Sequence, residues 1–364
     1  MNSMFRMHQP LLLSPQEGVF AHRTFKTSII EKTADRLLVS VPYYNGKVVL
    51  LPRNTPVKVE IPLKQVFFSE ISRKTAFGEY QCLELALPYQ LLKKDRLKTP
   101  RIITVTSGKG GAGKSTLLIN LAIALSQQGL RVCIVDCDLG TSNIDVLLNL
   151  HARYTIQDVI EGKKNIFDIL LEGPCKTVIA PGSSGFPPIT SISEAQAQKV
   201  INSLGKLEPY TDIILLDTGP GVSNNVMFFN QLADEIITVT TPEPHSITDT
   251  YAALKVLVDL KNVPFLWLVI NKTEGQEEAN SVAARIMSAA ERFLSLNIKY
   301  LGHVTEDKHV SQSVRRLTPC LLRFPNSEAS RCYKEIAEKF SITKQQVTPA
   351  KNHFRRLKKI LPIS

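Results

Sequence analysis

Apolar residues follow two different rhythms along the chain, and the change between them falls near residue 100. Before that point, short and partly alternating runs are separated by prolines and by the turn signal Asn45-Gly46, which is typical of antiparallel strands. After it, short apolar runs alternate with longer segments of helical period, which is typical of a doubly wound, mostly parallel α/β sheet. The pattern therefore predicts a small all-β, barrel-like domain followed by an α/β domain.

The same pattern gives the expected domain boundaries. We expect a flexible lead-in at 1–20, a small β-domain at 21–92, a linker at 93–100, the α/β domain at 101–342, and a linker with a basic tail at 343–364. Strands of the β-domain are predicted at 28–30, 36–41, 47–51, 57–61, 65–71 and 80–87. Strands of the α/β domain are predicted at 101–106, 131–135, 177–180, 213–216, 235–240, 265–270 and 298–302.

Composition narrows the class of protein. A hydrophobic content of 43% in 364 residues suits a globular chain with a sizeable core. The six cysteines form no C-x-x-C pair and no metal-ligand spacing, so we expect reduced thiols in a cytoplasmic protein. Neither a signal peptide nor a membrane-spanning helix is expected, since the apolar runs are too short.

The net charge of +11 is concentrated at the two ends of the chain. Residues 1–100 hold 15 Lys/Arg against 8 Asp/Glu (+7), and residues 351–364 hold 5 against 0 (+5). Residues 101–350 hold 24 against 25 (−1), so the α/β domain is nearly neutral. Because nucleic-acid binding needs a basic surface, nucleic acid is an unlikely partner of that domain.

A phosphate-binding loop lies between the first strand and the first helix of the α/β domain. The run SGKGGAGKST fits the pattern G-x-x-x-x-G-K-[ST] in the strand–loop–helix context that the pattern requires. Backbone N–H groups of such a loop surround phosphate oxygens at the positive end of a helix. The predicted ATP-binding residues of the loop are Gly108, Lys109, Gly110, Gly111, Ala112, Gly113, Lys114, Ser115 and Thr116.

Carboxylates follow two of the predicted strands. Asp136 and Asp138 end one strand, and Asp217 ends another before a Gly-Pro-Gly turn. Open α/β sheets bind ligands at the carboxyl ends of their strands, so these groups should meet at the loop. Asp217 is expected to hold Mg²⁺ together with the Ser115 hydroxyl, and Asp136 is the third predicted metal-site residue.

The α/β domain resembles the MinD/ParA family, and within it the FlhG (FleN) branch of regulators of flagellar number and placement. The resemblance is carried by SGKGGAGKST, IVDCDLGTSNIDVLLNL, LLDTGPGVS, TTPEPHSITDTYAALK, INK and RFPNSEAS. It implies an ATP-driven sandwich dimer in which Lys109 reaches the partner's phosphates and Lys114 serves the nucleotide of its own subunit. It further implies that Asp138 orients the attacking water and that Asn271 contacts adenine. The remaining residues of the implied nucleotide site are Pro242, Glu243, Pro244 and Lys272.

The N-terminal segment resembles the barrel that precedes PilZ domains in YcgR-like flagellar brake proteins, on the runs VPYYNGKVVLLPRNTPVKVEI and LELALPYQLLKKDR. The motifs of a cyclic-di-GMP-binding PilZ domain do not follow it, so cyclic-di-GMP is a doubtful ligand. A protein-docking module is the favoured interpretation.

The C-terminal tail combines basic residues with Phe354, Leu357 and Leu361 at spacings of three and four, which predicts a short basic amphipathic helix. MinD-family members carry a similar tail that docks on the membrane in the ATP dimer, so the resemblance implies reversible contact with the inner face of the plasma membrane. A solvated tail without membrane affinity remains the alternative, because three apolar anchors alone bind weakly.

The resemblance implies a weak, Mg²⁺-dependent ATPase acting as a switch in flagellar placement. The implied partners are an FlhF-like GTPase, flagellar C-ring components or a flagellar transcription regulator. The alternatives are a ParA-like DNA- or cargo-positioning ATPase, a MinD-type regulator of the division site, and an adaptor gated by a second messenger.

Overall fold

The computed structural model describes residues 10–15, 23–32, 36–44, 47–49, 51, 56–61, 65–77, 80–86, 100–183, 192–260 and 263–342. The chain divides into two compact units, Met1–Leu97 and Lys98–Ser364. The predicted boundaries around residues 92–101 stay predictions, since residues 87–99 lie outside the described part.

The first unit contains a closed antiparallel barrel. Six strands form it in the order β1-β2-β3-β8-β7-β6, and a two-stranded ribbon of β4 and β5 accompanies it. Alternate side chains of the barrel strands enter one apolar core, including Leu11, Phe25, Leu37 and Leu83. The strands are β1 Pro10–Pro15, β2 Phe25–Lys32, β3 Arg36–Ser40, β4 Tyr43–Tyr44, β5 Lys47–Val48, β6 Pro56–Ile61, β7 Gln65–Phe77 and β8 Tyr80–Ala86.

The prediction of a flexible lead-in at 1–20 was wrong for residues 10–15. Strand β1 pairs with both β2 and β6, so it closes the barrel. Leu11 and Leu13 are fully buried while Leu12 is partly exposed, which is the alternation expected of a strand with one face in a core. The flanking prolines and the unbroken Leu-Leu-Leu run hid this period in the sequence.

The second unit is built on an eight-stranded sheet in the order β11-β12-β10-β13-β9-β14-β15-β16. All pairs are parallel except β11 with β12 at one edge. This agrees with the predicted doubly wound, mostly parallel sheet. The strands are β9 Arg101–Thr106, β10 Val132–Cys137, β11 Leu171–Glu172, β12 Val178–Ala180, β13 Ile213–Thr218, β14 Glu235–Thr240, β15 Phe265–Thr273 and β16 Ile298–Thr305.

Helices cover both faces of this sheet. Successive residues of β14 and β15 enter different apolar clusters: Ile237 and Trp267 belong to one, and Ile236 and Leu266 to the other. The helices are α1 Lys114–Gln127, α2 Ile144–Leu147, α3 Ile156–Glu161, α4 Ile166–Ile169, α5 Glu194–Gly205, α6 Asn224–Leu232, α7 Pro244–Leu257, α8 Gln276–Leu294, α9 Lys308–Arg315, α10 Cys320–Arg323 and α11 Glu328–Ile342. In the described part of the chain, none of these helices has the length and apolar character needed to cross a membrane.

Candidate functional site

The phosphate loop connects β9 to α1 and leaves no room for side chains at two of its glycines. A Cβ atom at Gly108 would fall 2.2 Å from the carbonyl group of Asp249 in α7. Gly113 has φ of +90°, and its Cβ would lie 2.2 Å from Nδ2 of Asn271. Both positions therefore require glycine, which lets the loop backbone lie close to α7 and to the end of β15.

Two residues at the end of β15 hold the loop from outside. Asn271, which is 9% exposed, donates from Nδ2 to the carbonyl oxygen of Ala112 at 2.8 Å. Lys272 donates from Nζ to the carbonyl oxygen of Gly111 at 3.1 Å. Both contacts use carbonyl oxygens of the loop and none of its N–H groups, so they do not compete with phosphate oxygens for those N–H groups. The predicted adenine contact of Asn271 stays a prediction, and its bond to the loop was not foreseen.

The two loop lysines occupy different surroundings. Lys114 is 8% exposed, and burial lowers its pKa although Asp217 and Asp138 act to raise it. The side chain of Lys109 is 40% exposed. Its Nζ contacts Nε2 of His245 and lies 3.6 Å from Oε2 of Glu243. In the sequence, Glu243 stands between Pro242 and Pro244, and all three are predicted site residues. His245 is a neighbour of the site that the sequence did not single out.

Asp217 and Ser115 form the part of the site best suited to a cation. Ser115 Oγ donates to Oδ2 of Asp217 at 2.6 Å, while Oδ1 of Asp217 is buried without a hydrogen-bond partner. Burial, and then the nearby Asp136, raise the pKa of Asp217 to about 8. A buried carboxylate with an unused oxygen beside a hydroxyl fits Mg²⁺, which prefers oxygen ligands.

The carboxylate of Asp136 accepts hydrogen bonds from the loop that follows its own strand. Its Oδ2 accepts hydrogen bonds from Ser142 Oγ at 2.7 Å and from the backbone N–H groups of Asn143 and Ile144 at 3.1 and 3.2 Å. Its Oδ1 accepts from the Asp138 backbone N–H at 3.1 Å. Burial raises the pKa of Asp136 to about 6 against these bonds. The structure thus gives Asp136 a role in positioning the start of α2, and its metal role stays a prediction.

Asp138 lies on the turn between β10 and α2, opposite the turn that follows β13. Its carboxylate accepts bonds from the backbone N–H groups of Gly140 and Thr141 and from Thr141 Oγ1, at 3.0–3.1 Å. A Cβ atom at Gly219 would lie 3.3 Å from Asp138 Oδ1. The glycine of the Asp-Thr-Gly-Pro-Gly run therefore lets the two strand-end turns approach each other.

The structure brings most of the predicted site residues to one edge of the sheet. The loop, Asp136, Asp138 and Asp217 all lie at the carboxyl ends of adjacent strands, and β10 pairs with β13 so that Asp136 is opposite Asp217. Within the described residues, no three His, Cys, Asp or Glu side chains form a metal cluster by themselves. A cation bound here would therefore take some of its ligands from a nucleotide phosphate. The predicted membrane anchors Phe354, Leu357 and Leu361 lie outside the described residues.

A family model for the CobQ/CobB/MinD/ParA nucleotide-binding domain matches residues 103–320, which is more than half of the chain. The chain belongs to the MinD/ParA nucleotide-binding family. It is an ATP-binding member with the family's parallel-sheet fold, as the sequence resemblance implied. A second model, described as flagellar protein YcgR, matches residues 7–88 and confirms the YcgR-like N-terminal segment.

Relatives within this MinD/ParA family include two proteins with flagellar names. The antiactivator FleN of Pseudomonas aeruginosa is 35% identical over 239 residues, which cover 66% of this chain and 85% of FleN. The flagellum site-determining protein YlxH of Helicobacter pylori is 31% identical, covering 67% of this chain and 82% of YlxH. Among solved structures, MinD of Pyrococcus horikoshii complexed with Mg-ADP superposes with a TM-score of 0.57 at 25% identity, over 69% of this chain and 99% of MinD.

Proposed function

We propose that this protein is a Mg²⁺-dependent ATPase that dimerises when it binds ATP and regulates the number or placement of flagella. The observation that supports the dimer is the difference in exposure between the two loop lysines. Lys114 is buried at the loop, whereas Lys109 is at the surface beside two exposed side chains. The exposure of Lys109 supports a role in which its side chain reaches the phosphates of a second subunit, as the family resemblance implies.

The chemistry asked of the protein is positioning and charge neutralisation, because phosphoryl transfer needs little covalent help. The loop N–H groups and Lys114 would hold the phosphates, and Asp138 would orient the attacking water. Ser115 and Asp217 would hold Mg²⁺, which neutralises charge on the β- and γ-phosphates. We expect turnover to be slow, as suits a switch.

The flagellar assignment is supported by two independent parts of the chain. Relatives of the second unit are named FleN and YlxH, and the first unit matches a YcgR model. A MinD-type role in cell division would not explain the second of these. We propose a cytoplasmic protein that reaches the inner face of the plasma membrane reversibly, with an FlhF-like GTPase, C-ring components or a flagellar transcription regulator as partners.

The dimer is tested with Lys109→Ala. Light scattering of the wild type with Mg²⁺ and a non-hydrolysable ATP analogue should show a dimer, and the variant should stay monomeric. Nucleotide affinity of the monomer should be unchanged, because the Lys109 side chain lies beside His245 and Glu243 and alanine keeps the backbone N–H of the loop. Lys206→Ala, at an exposed lysine directly after α5, is the control. Dimerisation of Lys109→Ala at wild-type analogue concentrations would contradict the proposal.

A further inference from the structure

The turn between β10 and α2 is fixed at both of its ends. Asp136 accepts hydrogen bonds from Ser142 Oγ and from the N–H groups where α2 begins. The residue before Ser142 is Thr141, and its backbone is held on both sides. Its N–H donates to Oδ1 of Asp138 at 3.0 Å, and its carbonyl oxygen accepts from Nδ2 of Asn143 at 2.7 Å. The turn therefore sets the position of the Thr141 side chain, whose β-branched shape also restricts its rotamers.

The two carboxylate oxygens of Asp138 have different partners. Oδ1 accepts the backbone N–H groups of Gly140 and Thr141, and it faces the turn after β13, where a Cβ atom at Gly219 would lie 3.3 Å away. Among the described residues, Oδ2 accepts one bond, from Thr141 Oγ1 at 3.1 Å. Each carboxylate oxygen offers two acceptor positions. Both positions of Oδ1 are therefore used, whereas Oδ2 keeps one for a water molecule.

The hydroxyl of Thr141 is on the side of Asp138 that water can reach. Thr141 is an exposed residue, so solvent has access to the oxygen that it contacts. Burial lowers the pKa of Lys114, and the charges of Asp217 and Asp138 oppose that shift, so Asp138 is close enough to act on a ligand held by this lysine. A donor on Oδ2, in addition to the two on Oδ1, fixes the plane of the carboxylate and with it the direction of the remaining acceptor position.

We propose that Thr141 is a positioning residue for ATP hydrolysis: its hydroxyl fixes the direction in which Oδ2 of Asp138 accepts a hydrogen bond from the attacking water. This inference rests on the proposed ATPase function. In the reaction, the water oxygen forms a bond to the γ-phosphorus while the bond from that phosphorus to the bridging oxygen breaks. The electron pair of the broken bond stays with ADP. One proton of the water remains on the phosphate product, and Asp138 passes the other to solvent.

The test measures steady-state ATP hydrolysis by the full chain in the presence of Mg²⁺. Thr141→Val removes the hydroxyl and keeps the side-chain shape and the backbone N–H, so kcat should fall by about fivefold or more while KM changes by less than about twofold. Thr141→Ser returns the hydroxyl and should restore most of the wild-type kcat. Affinity for a non-hydrolysable ATP analogue should be unchanged in both variants, because the hydroxyl bonds to Asp138 and not to the phosphate loop.

A second variant shows whether the loss acts through Asp138. When Thr141→Val is added to Asp138→Ala, single-turnover hydrolysis should fall no further. The matched control is Thr318→Val, since the Thr318 hydroxyl donates to the carbonyl oxygen of Arg316 within its own turn, and this variant should keep the wild-type kcat.

The outcomes separate this inference from the proposed function. An unchanged kcat in Thr141→Val, a loss that Thr141→Ser does not restore, or an equal further loss in the Asp138→Ala background would overturn the role of Thr141 and leave the ATPase in place. Wild-type turnover by Asp138→Ala, or no hydrolysis by the wild type, would overturn the proposed mechanism and this inference with it.

Discussion

At the scale of single residues, Asp217 is a carboxyl group whose ionised form is unfavourable until a ligand binds. Its carboxylate is buried, has one unpartnered oxygen and lies opposite Asp136, so ionisation is opposed until a cation arrives. The position of Asp217 at the end of an apolar strand was predicted from the sequence. Its unused oxygen was not, since that depends on which donors the folded turn supplies.

The raised pKa of Asp217 makes stability depend on pH in the absence of ligand. Its folded pKa, about 8, lies above the unfolded value of 3.8, so the folded state binds the proton more tightly. Stability from this group is therefore present at low pH and is lost as pH rises from about 4 to 8, by up to about 1.4 kcal/mol per pH unit. Urea unfolding of the nucleotide-free wild type should show this loss, and Asp217→Asn should remove most of it.

The control for that experiment is Glu161→Gln. Glu161 is a surface carboxylate whose pKa is lowered by hydrogen bonds from Lys163 and Gln157, so its replacement should leave the loss at pH 5–8 in place. Adding Mg²⁺ and ADP should stabilise the wild type more than Asp217→Asn. Parallel pH profiles for wild type and Asp217→Asn would show that Asp217 is not the titrating group.

A second prediction at this scale separates two roles of Asn271, support of the loop and recognition of adenine. Its bond to the Ala112 carbonyl supports the loop whichever base is bound, whereas an adenine contact would favour ATP over GTP. If loop support dominates, Asn271→Ala should weaken ATP and GTP about equally, at least tenfold, in equilibrium titrations. A selective loss of ATP affinity would instead assign Asn271 to adenine recognition. Asn280→Ala, on the exposed side of α8, is the control.

At the scale of elements, a buried ion pair joins strands β9 and β14, and its guanidinium group also contacts helix α11. Arg101 donates to both carboxylate oxygens of Glu235 at 2.6 and 2.8 Å, and Trp267 donates to the same carboxylate at 2.8 Å. The guanidinium also lies over the ring of Phe340, 4.1 Å from its centre. Strands β9, β14 and β15 and helix α11 therefore meet at this one polar cluster.

Removing the charge of Glu235 should destabilise the protein strongly. Glu235→Gln leaves Arg101 buried without a carboxylate, which costs about 3–5 kcal/mol in comparable buried pairs. Urea unfolding followed by Trp267 fluorescence should show this loss. The same change at the exposed pair, Glu161→Gln beside Lys163, should cost less than about 1 kcal/mol. Equal and small losses would mean that the cluster is not important for stability.

Element prediction from the sequence succeeded for the apolar strands of the α/β domain and failed for its shortest helices. The seven strands expected in that domain were predicted to within three residues at each end. The four-residue helices α2, α4 and α10 were not, because their backbones are fixed by tertiary contacts such as Ile144 with Asp136. Strand β1 was missed because its flanking prolines and its unbroken Leu-Leu-Leu run hide the alternation of buried and exposed residues.

At the scale of the whole molecule, ATP binding and membrane contact are expected to be coupled through the tail. Residues 351–364 carry five basic residues and no acidic ones, and each basic residue near an anionic membrane contributes about 1 kcal/mol. One tail should therefore bind weakly and reversibly. A dimer presents two tails, so the second binds at high effective concentration and the affinity rises steeply.

This coupling predicts the behaviour of the protein with anionic liposomes in co-sedimentation. The wild type should pellet with a non-hydrolysable ATP analogue and much less with ADP, while a chain ending at residue 350 should stay in the supernatant. A triple variant separates insertion of apolar side chains into the membrane from attraction between charges. It combines Phe354→Ser, Leu357→Ser and Leu361→Ser, which removes the apolar anchors and keeps the charge of the tail. Insertion predicts that this variant also stays in solution at 150 mM salt, where attraction between exposed charges is screened beyond about 8 Å. Lys109→Ala should fail to pellet with its tail intact, because it lacks the dimer. Pelleting of the shortened chain with the analogue would place the membrane contact elsewhere.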